Sequence, residues 1–359
     1  MYPNIGGEMT KKTHQKRLGL WRKLTIDTAK LHFDESRIAV FMFVLMLSAA
    51  LITMTPTSSG ATNLFRIGTG GLTGVYFPIG KLIAEGLTGT GTSGVPGYIG
   101  VAQNSAGSIE NVRIVIAGEI EAGLVQADVA AWAFHAEQVF SGNENTRALR
   151  AVASLYPEKF QIVTRRDADI HRISNLRGKK ISIDEIGSGT LAVMRIVLDT
   201  HGLSEKDLQP VYLKPVFTYD KMVKGDLQGF VMMAGAPMKA VTELSDIGIS
   251  LIPITPDKAR TISAQYPYLV PGTIPANVYK GVPETPTIQV HALLVVSAAM
   301  PETIVYQVTK ALWSERTLAL LRTGHAQGRS ITLETALDGL SLPLHTGAEK
   351  YYRERDIMP

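Results

Sequence analysis

Cysteine is absent from the 359 residues of the chain. Its absence excludes disulfide bonds, thiol catalysis and thiolate metal ligands, and it suits a bacterial periplasm, where stray thiols are a liability. The eight histidines are scattered, with no H-E-x-x-H motif and no close pair. Because zinc sites depend on such spacings, we expect no metal site and no catalytic histidine or cysteine.

The motifs that bind nucleotide cofactors are also absent. From Gly68, a dinucleotide fingerprint requires glycine at position 73, where the chain has Thr73. A phosphate P-loop fails after Gly80-Lys81, because Leu82 stands where a serine or threonine is needed. The sequence therefore predicts no nucleotide cofactor.

The excess of positive charge is confined to the N-terminal segment. The chain has 36 Lys and Arg against 32 Asp and Glu, and residues 1–61 hold eight and four of these, which leaves 28 against 28. The sequence pI of about 9.0 thus comes from that segment. The rest of the chain lacks the basic surface that nucleic-acid binding requires, so we expect no nucleic-acid partner.

The N-terminal segment is typical of an export signal. Residues 1–37 are polar and basic, residues 38–54 form an apolar run without a charge, and Ser59-x-Ala61 matches a cleavage pattern. We expect the remaining chain in the periplasm. The signal is either cleaved after Ala61 or retained as an inner-membrane anchor through residues 38–54, since the apolar run is just long enough to span a bilayer.

The composition favours an α/β protein of two lobes. With 45% hydrophobic residues the chain can bury a sizeable core, and its length predicts two domains or lobes. The 33 glycines and 18 prolines indicate many tight connections between strands and helices. Such connections are typical of α/β folds.

Two glycine-rich loops each stand between a predicted strand and a predicted helix. The first is G-T-G-G at 68–71, after a strand at 64–67, and the second is G-S-G-T at 187–190, after a strand at 180–183. Backbone N–H groups at such loops and helix N-termini attract anions. If the two lobes face each other, both loops converge on one anion in the cleft.

Further elements follow from periodicity and capping residues. Ser108 is predicted to cap a helix, and strands are expected at 121–126 and 287–297. Two strand candidates lie around Tyr156 and Pro157. A late helix is expected near residue 302, and the last fifty residues show no interpretable pattern.

Several segments together resemble one known family, the substrate-binding proteins of TAXI-type TRAP transporters. The segments are IGTGGLTGVYFPIG, GSIENVRIVIAGEIEAGLVQADVA, LRAVASLYPE, NLRGKKISI with GSGT, and IPANVYKG, in order over residues 64–310. The resemblance implies a periplasmic-binding-protein type II-like α/β fold, with two α/β lobes around a ligand cleft and hinge strands. We expect four regions: 1–61 for the basic region with its signal or anchor, 62–160 for the first part of lobe 1, 161–260 for lobe 2, and 261–359 for the return to lobe 1 and C-terminal helices.

The resemblance also implies a function without bond chemistry and without a cofactor. Such a receptor captures a small carboxylate, such as glutamate or a related amino acid or dicarboxylate, and delivers it to a TRAP membrane subunit driven by a sodium gradient. Two alternatives stay open. One is a periplasmic enzyme on the same fold with Asp184 or Glu185 as base, and the other is a membrane-tethered ligand sensor that keeps residues 38–54.

Carried over position by position, the resemblance implies a set of ligand-binding residues. These are Gly70, Gly71, Tyr76, Asn104, Ser105, Ser108, Gln126, Asp128, Ser188, Gly189 and Thr190. Backbone N–H groups and hydroxyls of this kind can hold a carboxylate without an arginine. Glu185 joins the set because an acid beside the second loop would pair with the α-ammonium of an amino acid.

Overall fold

The computed structural model describes residues 62–90 and 93–358, together with positions 40 and 42. The predicted signal or anchor therefore lies, apart from those two positions, outside the described residues. Within the described ranges, no helix combines the length and the hydropathy needed to cross a membrane. The described residues from position 62 onward form one compact unit by their internal contacts.

Ten strands of the described chain form one mixed sheet. They are β1 Asn63–Gly68, β2 Tyr98–Gln103, β3 Ala122–Gln126, β4 Leu149–Arg165, β5 Lys180–Ser182, β6 Gln209–Val211, β7 Gly229–Ala234, β8 Ile249–Leu251, β9 Val270–Ile274 and β10 Thr285–Ser297. The order is β2-β1-β3-β10-β4-β7-β5-β6, with β8 beside β4 and β9 beside β10.

The helices of the described chain connect and cover these strands. They are α1 Tyr76–Leu87, α2 Ser108–Ile116, α3 Ala127–His135, α4 Gly189–Thr200, α5 Tyr219–Lys224, α6 Lys239–Thr242, α7 Pro256–Gln265, α8 Glu302–Leu312, α9 Glu315–Gly324 and α10 Thr346–Arg353. Helices α1 and α4 follow the two glycine-rich loops, as predicted. Pro78 is tolerated in α1 because it lies in the first turn, where no backbone N–H is needed.

Strands β4 and β10 run through both lobes. The first part of β4 pairs with the end of β10, which also pairs with β3. The second part of β4 pairs with β7 and β8, while the start of β10 pairs with β9. Parallel strands β1 to β3 thus belong to one lobe and β5 to β7 to the other. The structure is the predicted periplasmic-binding-protein type II-like α/β fold, with β4 and β10 as hinge strands.

The two strand candidates around Pro157 are in fact one strand. Strand β4 continues for 17 residues through Pro157, which pairs with His291. Proline has no N–H for the sheet ladder, so it is tolerated only at an edge or an irregular position. The pairing of β4 with β10 shifts register between Ala292 and Leu293, next to Pro157, which provides such an irregularity.

Both faces of the sheet are buried. Along β10, Leu294 and Val296 belong to one apolar cluster, whereas Leu293 and Val295 belong to another. Successive strand residues point to opposite faces, so the clusters cover the two sides. The continuous apolar runs of these strands follow from this double burial.

The C-terminal region, for which no pattern was recognised, completes the first of these clusters. In α10, Tyr351 and Tyr352 are buried with Ala348, which lies one turn earlier. The Tyr352 hydroxyl donates to the carbonyl of Val152 at 3.0 Å and accepts from Trp313 Nε1 at 2.9 Å. The signal was present in the apolar face of this short helix, but many charged residues surround it.

Candidate functional site

A cavity lies between the two lobes, where loops of both reach the hinge strand β4. It has about 500 Å³ of space between atoms, its opening to solvent included. Lobe 1 contributes Gly70, Gly71, Tyr76, Gly107, Ser108 and Gln126, β4 contributes Glu158, and lobe 2 contributes Asp184, Ser188, Gly189, Thr190, Lys214 and Met232.

The first glycine-rich loop is held in place by a buried asparagine. Asn111 Nδ2 donates to the carbonyl of Thr69 at 2.7 Å and to that of Leu124 at 2.8 Å. A Cβ at Gly68 would lie 2.5 Å from Asn111 Oδ1, so only glycine allows this close approach. Asn111 therefore fixes the loop that forms one wall of the cavity.

Tyr76 joins that loop to the hinge strand. Its hydroxyl donates to Glu158 Oε2 at 2.8 Å and lies 3.5 Å from Ser108 Oγ. Ser108 Oγ also accepts from the backbone N–H of Gln126 at 3.1 Å. The tyrosine thus both walls the cavity and donates a hydrogen bond, and its carboxylate acceptor is 82 residues away in sequence.

Ser108 does not cap α2 as predicted. The N-cap residue is Gly107, whose φ of 114° is accessible to glycine, and Ser108 is the first helical residue. Its hydroxyl is used for the contacts with Tyr76 and Gln126 instead. The helix nevertheless begins at the cavity, so its first N–H groups, which have no partner within the helix, lie near this space.

The second glycine-rich loop starts α4 at the opposite wall. Ser188 is the N-cap, and its Oγ accepts from Leu191 N at 3.0 Å. Thr190 Oγ1 accepts from Met233 N at 3.2 Å, which ties the helix start to β7. Gly189 faces Gln126 of the other lobe so closely that a Cβ there would lie 2.1 Å from Gln126 Oε1.

Three buried carboxyl groups give the site its electrostatic character. Burial raises the pKa of Glu158 well above its usual value, and the charge of Asp128 raises it further, although the Tyr76 hydrogen bond acts in the opposite direction. Burial also raises the pKa of Asp184 to about 7. At neutral pH the cavity is therefore not strongly anionic, but it can accept positive charge by releasing protons.

Asp128 leads to a prediction about the pH dependence of stability. Burial raises its pKa from 3.8 to about 7, so ionisation costs stability in the folded protein. Between pH 4 and pH 7 the unfolded chain binds fewer protons than the folded one, and stability falls as pH rises. We expect Asp128→Asn to be more stable than wild type at pH 8, by up to about 4 kcal/mol.

Thermal melts of both proteins from pH 4 to pH 8 measure this effect. The difference between wild type and Asp128→Asn should be small at pH 4 and should grow as the pH rises. A difference that stays constant across this range would contradict the assignment of a neutral buried Asp128.

Eight of the twelve predicted ligand-binding residues line the cavity. They are Gly70, Gly71, Tyr76, Ser108, Gln126, Ser188, Gly189 and Thr190. The other four, Asn104, Ser105, Asp128 and Glu185, do not line it. Asn104 Nδ2 donates to the carbonyl of Gly70 at 2.6 Å, and Ser105 Oγ donates to that of Thr69 at 2.9 Å, so both support the first loop.

The remaining two acids differ in position from what the sequence suggested. Asp128 is buried in the first turn of α3, outside the cavity lining, and its charge raises the pKa of Glu158. Glu185 lies beside the cavity, and its Oε1 is 2.9 Å from Lys214 Nζ. Its charge is thus already matched by a cation of the protein rather than left for a ligand ammonium.

Glu158, Lys214 and Met232 are among the cavity-lining residues that sequence reasoning missed. For Glu158 a signal existed, because a glutamate inside a long apolar strand is rarely buried without a partner. Lys214 follows the short strand β6 and carries no local pattern. Its place at the cavity depends on contacts with residues more than a hundred positions away.

Comparison with known proteins gives one family match and many distant structural likenesses. The model of the NMT1-like family matches residues 67–355. The periplasmic aliphatic sulphonate binding protein SsuA from Escherichia coli has 15% identity, covers 83% of this chain and 94% of its own, and has a TM-score of 0.40. A protein from Bordetella bronchiseptica RB50 has 15% identity, coverages of 80% and 82%, and a TM-score of 0.48. The substrate binding protein of an amino acid ABC transporter has 10% identity, coverages of 73% and 99%, and a TM-score of 0.42. Likeness at this level carries no argument about the ligand.

Proposed function

The chain belongs to the NMT1-like family, and from this premise we propose that it is a periplasmic solute-binding receptor. It captures a small carboxylate that also carries an amine, with glutamate or a related amino acid as the leading candidate. The observation that carries this proposal is the cavity between the lobes, lined by donors and acceptors from both. A site that both lobes complete couples binding to closure of the cleft.

The carboxylate end of the ligand is assigned to the starts of the helices. Helices α1, α2 and α4 begin at cavity-lining residues, Tyr76, Ser108 and Gly189. The first N–H groups of a helix have no partner within it, and the helix dipole favours negative charge at that end. A carboxylate can therefore be held there without an arginine.

The amine end is assigned to Glu158. This carboxyl group is 1% exposed, and the Tyr76 hydroxyl donates a hydrogen bond to its Oε2. An ammonium in the cavity would favour the ionised form of Glu158 and would replace the proton that burial makes it retain. Glu158 thus takes the role that the sequence suggested for Glu185.

The proposed partner is a membrane subunit of a TRAP transporter that uses a sodium gradient, because the sequence resembles TAXI-type receptors. Closure of the lobes would create the surface that this subunit recognises. Uptake of the ligand by cells should then stop when sodium is removed and should survive depletion of ATP. The opposite dependence would favour an ABC transporter as the partner.

A thermal-shift screen of the full-length protein tests the proposed function. Amino acids, the matching dicarboxylates and the matching keto acids form three sets that differ mainly in the amine. A ligand that binds only the folded state raises the melting temperature. We expect shifts with amino acids only, and recovery of the ligand unchanged after incubation. A shift with the dicarboxylates and keto acids alone would contradict the proposal that the ligand carries an amine. Chemical conversion of the ligand would favour an enzyme.

A further inference from the structure

Lys214 lines the cavity and bridges the two lobes. It follows strand β6 of lobe 2, and its Nζ lies 2.9 Å from Glu185 Oε1 on the same lobe. The same Nζ donates to the carbonyl of Ser105 at 2.9 Å and to Asn104 Oδ1 at 3.4 Å, and both residues belong to lobe 1. The lysine side chain is 18% exposed.

The ammonium of Lys214 interacts with three protein oxygens. It donates hydrogen bonds to two oxygens of lobe 1, the carbonyl of Ser105 and Asn104 Oδ1, and it forms an ion pair with Glu185. The group also lies beside the first glycine-rich loop, since a Cβ at Gly71 would be 3.6 Å from Lys214 Cδ. Although Lys214 lines the cavity, its charge is therefore directed at the opposite lobe rather than at the ligand space.

We propose that Lys214 is a positioning residue that latches the lobes in the closed arrangement, with Glu185 holding its ammonium over the cleft. The inference rests on the proposed function, in which closure accompanies binding. Glu185 and Lys214 move together on lobe 2, so their ion pair persists in any arrangement of the lobes. The bonds to Ser105 and Asn104 exist only when the lobes are together.

The surroundings of the latch support this assignment. Close to it, the backbone N–H of Glu110 in lobe 1 donates to the carbonyl of Gly187 in lobe 2 at 3.2 Å. Gly187 also lies against Ala106, where an added Cβ would be 3.6 Å away. The lobes are thus in direct contact next to Lys214, and the lysine adds the charged bond to this contact.

The absence of cysteine allows a clean distance measurement between the lobes. Lys81 on α1 and Lys206 before β6 are exposed, one on each lobe, and can be replaced by cysteine for nitroxide labelling of the full-length protein. Pulsed electron spin resonance then gives the populations of closed and open molecules without any ligand. Loss of a charge-assisted hydrogen bond should lower the ratio of closed to open molecules about tenfold in Lys214→Met.

The matched control is Lys221→Met, which removes an exposed lysine of α5 on the same lobe. It should leave the distance distribution unchanged. Glu185→Gln should shift it in the same direction as Lys214→Met but by less, because the ammonium stays and only loses the carboxylate that orients it. An identical distribution for wild type and Lys214→Met would overturn the latch.

The ligand screen separates this result from the proposed function. If Lys214→Met shifts the distances but no ligand in the thermal-shift screen raises the melting temperature, the proposed amino-acid receptor is refuted and the role of Lys214 as a latch is supported. Alternatively, the distances stay unshifted while Lys214→Met loses its thermal shift for glutamate but keeps it for glutamine. This result would identify Lys214 as a direct partner of the side-chain carboxylate of the ligand. That outcome would overturn the latch and leave the receptor.

Discussion

Glu158→Gln is expected to weaken binding of an amine-bearing ligand by two orders of magnitude or more. Removing one partner of a buried ion pair costs roughly 3–5 kcal/mol, which corresponds to about 10²–10⁴-fold in affinity. Glutamine has the same shape and can still accept the Tyr76 hydrogen bond. Because burial raises the pKa of Glu158, the neutral amide should not lower the stability of the ligand-free protein. Titration calorimetry with the ligand found by the screen measures the loss.

The pH dependence provides the control for this prediction. In wild type a proton competes with the ligand ammonium for Glu158, so affinity should fall as the pH falls. In Glu158→Gln that dependence should weaken, and what remains should come from Asp184, whose pKa is about 7. Tyr76→Phe removes the hydroxyl but keeps the carboxylate, so its loss of affinity should be about tenfold or less. Equal affinity of wild type and Glu158→Gln would show that Glu158 does not contact the ligand.

Gly189→Ala is expected to reduce affinity at least tenfold while it changes the melting temperature little. The added methyl carbon would lie 2.1 Å from Gln126 Oε1 and 2.6 Å from its Cδ, so the glutamine side chain must move. Gln126 is 3% exposed and belongs to the other lobe, and its displacement would hold the lobes apart or fill the cavity. Alanine itself is well suited to the first turn of a helix.

Two variants test the steric origin of this effect. Gly70→Ala also adds a methyl group at the cavity wall, but its nearest neighbour would be Tyr76 Cβ at an ordinary 3.6 Å. We expect it to change affinity less than twofold. In the double variant Gly189→Ala with Gln126→Ala, space is restored, and a double-mutant cycle should show strong coupling between the two positions. Additive effects would contradict a clash across the cleft.

Those parts of the site that depend on neighbouring residues in the sequence could be predicted. Both glycine-rich loops lie between a strand and a helix, as their spacing indicated, and Ser188 caps α4. These features depend only on a few neighbouring residues. The cap predicted at Ser108 was wrong because its hydroxyl bonds instead to Gln126, a residue of the next strand.

The chemistry of the cavity depends on contacts that no local pattern contains. Glu158 meets Tyr76 because β10, which follows β4 by more than a hundred residues, inserts between β3 and β4. Lys214 reaches Ser105 because the hinge strands bring the two lobes face to face. A lysine in an irregular segment has no pattern of its own, so the partner of Glu185 could only be identified in three dimensions.

A crystal structure of the full-length protein with the ligand from the screen tests the central claim most directly. The account predicts one ligand between the lobes, with its amine within hydrogen-bond distance of Glu158 and its carboxylate at the start of α4 near Gly189. It also predicts that Lys214 still bonds to Ser105 rather than to the ligand. A ligand bound elsewhere on the protein, or an empty cleft at saturating concentration, would contradict the account.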